Sequence, residues 1–125
     1  MSGSDEDLLG FVAATFPSVW ALELLLVLKS DRRVWRQPDL VDSLRASDLV
    51  VSKALDALVA AGLASIDADG AEYRPVNAGV EQCVEAVEQL YRTRPNKVRR
   101  VIIAASAGSA TAFANAFRLR KGRDD

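Results

Sequence analysis

Ser47, Ser52 and Lys53, in the stretch "SDLVVSKALDALVAAGL" that follows Arg45, are the side chains of this sequence best suited to touching an anion. A hydroxyl exchanges hydrogen bonds and an ammonium or guanidinium neutralises charge, which is what a phosphate or the edge of a nucleic-acid base requires. Arg32, Arg33 and Arg36 precede this stretch and Arg74 follows it, so six cations and two serines form the candidate contact set.

Other chemistries are poorly supplied. The absence of histidine excludes Ser-His-Asp and Cys-His catalysis and zinc sites of the HExxH kind. One cysteine, Cys83, cannot close an internal disulfide or build a thiolate cluster, and beside Val80, Val84 and Val87 it reads as a packed thiol. Glu81, Glu85 and Glu88 share one helix face opposite those valines, with Glu88 four residues before Arg92. Without a nucleophile nearby they read as a solvated stripe rather than an acid-base pair. The expectation is a chain that is not an enzyme and holds no metal or cofactor.

The elements that must position the candidate set follow from apolar spacing and punctuation. Asp5 to Phe16 has Leu8, Leu9, Val12 and Phe16 at helical spacing, with acids in its first turn. After Pro17, Ser18 caps "VWALELLLVLKS", a helix apolar nearly all round and therefore central, with Trp20 in the core and Trp35 at its edge. "DRRVW" makes a turn and a short strand, and Pro38 suits the first turn of a helix carrying Leu40, Val41 and Leu44. Arg45-Ala46-Ser47 breaks it, Ser47 caps the next helix, and Gly62 stops that helix in a left-handed conformation. Asp69-Gly70 is the two-residue turn of a hairpin between Ile66 and Tyr73, ended by Pro75. A helix then covers Asn77 to Tyr91, Pro95 interrupts it, and two shorter helices span Asn96 to Ser106 and about Ser109 to Leu119.

Helix, tight turn, helix and hairpin in that order spell a winged helix, so the fold class is mainly α with a small β-hairpin wing. Residues 1-18 form an N-terminal helix, 19-76 a winged helix-turn-helix core and 77-125 a C-terminal helical extension. From Val19 to about Val76 the sequence resembles winged helix-turn-helix transcription regulators of the MarR and ArsR type. Ser52, Lys53, Leu55, Leu58, Gly62 and Leu63, followed by the Asp-Gly hairpin, carry that resemblance. It implies sequence-specific binding of double-stranded DNA through Ser47, Asp48, Val50, Ser52, Lys53 and Asp56 on the outward face of the recognition helix. Arg32, Arg33, Arg36, Arg45 and Arg74 would stand near the backbone. It also implies a homodimer built from the terminal helices.

Charge supports a second reading. Residues 1-91 hold 7 Lys/Arg against 15 Asp/Glu, whereas residues 92-125 hold 9 against 2. The wing sequence "DADGAE" puts Asp67, Asp69 and Glu72 where phosphate would be repelled. The alternative is a winged-helix protein-interaction module whose acidic and apolar face binds a basic partner. The basic segment from Arg92 to Arg100 and the tail of Arg118, Arg120, Lys121 and Arg123 either add attraction for phosphate or neutralise the chain's own acids. The terminal helices either pair two copies, through Val98, Val101 and Ile102 and through Phe113, Phe117 and Leu119, or fold back on one chain. The uncharged run Val101 to Phe117 falls short of a membrane span and the N-terminus is polar and acidic, so no membrane contact and a cytoplasmic location are expected.

Overall fold

The computed structural model describes residues 5–106. The expected helix over 109–119, its Phe113, Phe117 and Leu119 stripe and the basic tail lie outside the described residues. Within them the order is α1 (Asp5–Thr15), α2 (Val19–Ser30), α3 (Gln37–Leu44), α4 (Asp48–Ala60), β1 (Ala64–Asp67), β2 (Gly70–Tyr73) and α5 (Ala78–Thr93). A further helix, α6, runs from residue 95 to residue 106, the last described. The protein is mainly helical with one small hairpin, as the apolar spacing requires.

Each helix start has a local cause. Ser18, Ser47 and Asn77 take extended backbone angles and accept the backbone N–H three residues on, from Ala21, Val50 and Val80, so a donor that the helix cannot satisfy is paired. Pro38 sits in the first turn of α3, where its missing N–H costs nothing. α3 ends at Arg45, which is held left-handed at φ 54° and ψ 45°. That conformation turns the chain within three residues into Ser47 and α4.

α2 is the centre of the molecule. Leu22, Leu24, Leu25 and Leu28 are fully buried, and the helix packs on α3, α4 and β2. α4 gives Val51, Ala54, Leu55 and Leu58 to the same core, Val12 and Phe16 enter it from α1, Val84, Val87 and Leu90 from α5, and Val98 and Ile102 from α6. Trp20 is a correction: the expected core side chain is 42% exposed. Because α2 is apolar on nearly every side, its periodicity does not single out an outward face, and Trp20 falls on the one that α3 and α4 leave open.

The hairpin is antiparallel and pairs Ala64 with Tyr73, Ser65 with Glu72, Ile66 with Ala71 and Asp67 with Gly70. Its turn is therefore Ala68-Asp69, one residue earlier than the Asp69-Gly70 expected. Asp67 Oδ1 accepts the N–H of Asp69 and of Gly70 and closes the turn from its own side chain. Gly70 is needed for another reason. A Cβ there would lie 2.2 Å from the carbonyl oxygen of Trp35, and its φ is +146°. The short strand expected at "DRRVW" reduces to one antiparallel bridge, in which Trp35 and Ala71 exchange N–H···O bonds of 2.7 and 2.8 Å.

Candidate nucleic-acid interface

On α4 the buried positions are Val51, Ala54, Leu55 and Leu58, so the outward face carries Asp48, Leu49, Ser52, Lys53, Asp56 and Val59. Ser52 and Lys53 stand on it as expected, both exposed. Ser47 is nearby, but its hydroxyl oxygen accepts the Val50 N–H at 3.2 Å. Its first duty is to start the helix, which leaves its proton as the group it could offer outward. Val50 is only half-exposed. Asp48 is engaged by α3: the Gln37 side-chain amide donates to its carbonyl and carboxylate at 3.3 and 3.4 Å, joining the starts of the two helices.

The six cations divide. Arg32 points back to α5, where it meets Glu81 at 3.1 Å and lies 4.7 Å from the centre of the Tyr73 ring. Arg33 pairs with Asp31 at 3.0 Å and stacks 3.8 Å over Trp35. Arg74, just past the end of β2, pairs with Glu72 of that strand, two residues back, at 3.2 Å. By contrast, Arg36, Arg45 and Lys53 are exposed and have no side-chain hydrogen bond or ion pair among the described residues. Arg36 is the N-cap and Arg45 the C-cap of α3, so two guanidinium groups unpaired among the described residues bracket one eight-residue helix, their backbones about 13.5 Å apart at 1.5 Å per residue. Lys53 is on the helix that follows.

The wing presents the opposite chemistry. Asp67 and Asp69 are exposed at its tip and Ile66 is 48% exposed beside them. Between the wing and the start of α3 is a cleft of about 250 Å³ lined by residues including Trp35, Arg36, Pro38, Leu55, Ile66 and Asp69. Leu49, at 63% exposure, and Val59, at 41%, are apolar members of the α4 face that attention to cations and hydroxyls passed over. The complement of the buried 51, 54, 55, 58 pattern would have found them.

Behind the wing, Glu81 and Glu88 are not the freely solvated stripe expected. Glu88 pairs with Lys29 at 2.8 Å as well as with Arg92 at 3.4 Å, and Glu81 holds Arg32. Glu85 remains exposed. Burial, followed by the negative charge of Glu81, pushes the Tyr73 hydroxyl up to about 12 against the pull of Arg32. That hydroxyl has no hydrogen-bond partner among the described residues. Burial and then its hydrogen bond to Glu23 also raise Tyr91, whose oxygen accepts from Arg99 at 3.2 Å. Cys83 is half-buried on α5.

Among the described residues no single helix is long and apolar enough to cross a membrane. α1 and α2 would pass only as a pair, and they are bent by 102° at their break. No group of His, Cys, Asp and Glu among the described residues is arranged to hold a metal ion. Comparison with protein-family profiles, curated proteins and solved structures finds no match to this chain.

Proposed function

We propose that the protein is a cytoplasmic, sequence-specific DNA-binding transcriptional regulator of the winged-helix type, similar to the MarR and ArsR regulators. α4 enters the major groove and the ends of α3 rest on the phosphate backbone. One observation carries this reading: of the six candidate cations, the three without a side-chain partner among the described residues, Arg36, Arg45 and Lys53, all belong to the helix-turn-helix, while Arg32, Arg33 and Arg74 are paired with acids. Lys97 and Arg100 on α6 are likewise exposed and unpaired among the described residues. An unpaired guanidinium meets a phosphate without first losing another partner, and a paired one does not. Ser52 and Lys53 on α4 then face bases or the adjacent phosphates, and the acidic wing stays clear of the backbone. The chain performs no catalytic step and needs no cofactor. As a homodimer it would present two such helices to a palindromic site, and sedimentation of the purified protein checks the copy number.

The experiment is selection of sheared genomic DNA by the purified protein at about 50 and 200 mM salt, followed by binding curves on the enriched site. Lys53→Glu and Arg45→Glu are each expected to weaken binding by about tenfold or more and to lower the salt slope by about one. Retention of binding by both variants would show that α4 and its flank are not the contact.

A second reading, a protein-interaction module for a basic partner, is favoured by Leu49 and Val59 on the α4 face together with Asp48, Asp56 and the acidic wing tip. Failure of folded protein to enrich any DNA at the lower salt selects it over the first.

A further inference from the structure

An apolar hollow lies where the start of α2 meets α6. Trp20 is 42% and Ile103 59% exposed, and with Pro17, Val19, Ile102 and Ser106 they line this open hollow of about 530 Å³. A second, more polar hollow of about 470 Å³ shares Pro17 and Ser106 with it and is lined also by Ala13, Thr15, Phe16 and, from α4, Ala57. A tryptophan and an isoleucine in water on one continuous surface mark a place that something covers.

We infer that the cover is the chain's own next stretch, residues 107–117, seated through Phe113 and Phe117. α6 delivers the chain to the rim of the surface: Ser106 lines both hollows and its hydroxyl donates to the Pro17 carbonyl at 2.7 Å. The eleven residues that follow, "AGSATAFANAF", carry no charge, and the next residue is Arg118. Phe113 is seven residues beyond Ser106, a reach of up to about 25 Å, ample for a surface that starts at the rim. An attached segment also meets the surface at a high effective concentration, which a second copy at dilute concentration does not match. The surface is thereby assigned within one chain, and a homodimer has to use another. Nothing in this inference depends on what α4 binds.

Trp20 itself reports the outcome. Acrylamide quenching of the unaltered protein and of Trp20→Phe gives, by difference, the accessibility of Trp20, while buried Trp35 remains as the internal monitor of folding. The expected result is a Trp20 shielded several-fold relative to the Phe113→Ser/Phe117→Ser double variant, with the shielding unchanged across about a hundredfold range of protein concentration. Ile103→Ser alters the surface at an exposed position and should release Trp20 in the same way with Trp35 still shielded. Trp20 quenched as freely in the unaltered protein as in the double variant overturns the inference. Shielding that grows with concentration as the molecular mass doubles also overturns it and gives the surface to a second copy.

Discussion

Three of the six candidate cations belong to the helix-turn-helix and three to the loop after α2 and the end of the wing, and the two groups are used in opposite ways. Arg32, Arg33 and Arg74 are each within 3.2 Å of a carboxylate, two of them also over an aromatic ring. Arg36, Arg45 and Lys53 have no such partner among the described residues. A cation already paired has to trade one contact for another, so the number of arginines near a surface is a poor measure of its attraction for phosphate. The same distinction makes the wing a structural element here: it is held by Trp35, closed by Asp67 and coated with acids.

The largest effect is expected where the wing is joined to the core. Gly70→Ala would force a Cβ into the Trp35 carbonyl at a backbone angle that favours glycine, at an expected cost of about 3 kcal/mol or more in denaturant unfolding. A loss below about 1 kcal/mol would mean that the hairpin can detach from Trp35 without harm to the core.

A smaller effect with two opposite signs is expected at Arg45. Left-handed backbone costs a side-chain-bearing residue about 1 kcal/mol, so Arg45→Gly should raise stability by about that amount while weakening DNA binding. Stability and binding that fall together would show the guanidinium to be part of the fold instead.

Arg74→Ala is expected to leave DNA affinity within about twofold and to cost at most about 1 kcal/mol, since its ion pair is exposed. A tenfold loss of affinity would erase the contrast between wing and helix.

The smallest effect concerns Tyr73. Its hydroxyl is raised in the folded protein from 10.0 to about 12, which favours the protonated form. This contribution to stability is complete below pH 10 and is lost as pH climbs toward about 12. Tyr73→Phe should remove that part of the alkaline fall with little change at neutral pH, because the hydroxyl has no hydrogen-bond partner among the described residues. Thermal unfolding measured at pH 8 and at higher pH checks it.

What the sequence made legible was local. Ser18, Ser47 and Pro38 act within a turn of their own position, and each lies where capping chemistry puts it, while Asn77, expected as the first helical residue, caps α5 from outside. The misreadings come from partners far along the chain. Gly70 looked like a turn glycine, but its constraint comes from Trp35; Arg32 looked available, but its partner Glu81 is 49 residues away. Lys29 and Glu88, 59 residues apart, carry no mutual signal at all in one sequence. Trp20 was misplaced because a helix apolar on all sides has no pattern from which to choose its outward face. For the site, Ser52 and Lys53 were legible as exposed members of α4, while the division of the arginines was not, since pairing is a tertiary property.

The two ion pairs behind the wing have a mechanical consequence. Glu81 and Glu88 are seven residues apart on α5, about 10.5 Å along its axis, and both are tied to the short stretch from Lys29 to Arg32. One bond fixes a point, whereas two spaced bonds fix a direction, so α5 is bracketed against twisting relative to the end of α2. A torque applied to α5 is passed through Arg32 to the ring of Tyr73 and hence to the hairpin, with the load shared between two fasteners that salt can loosen.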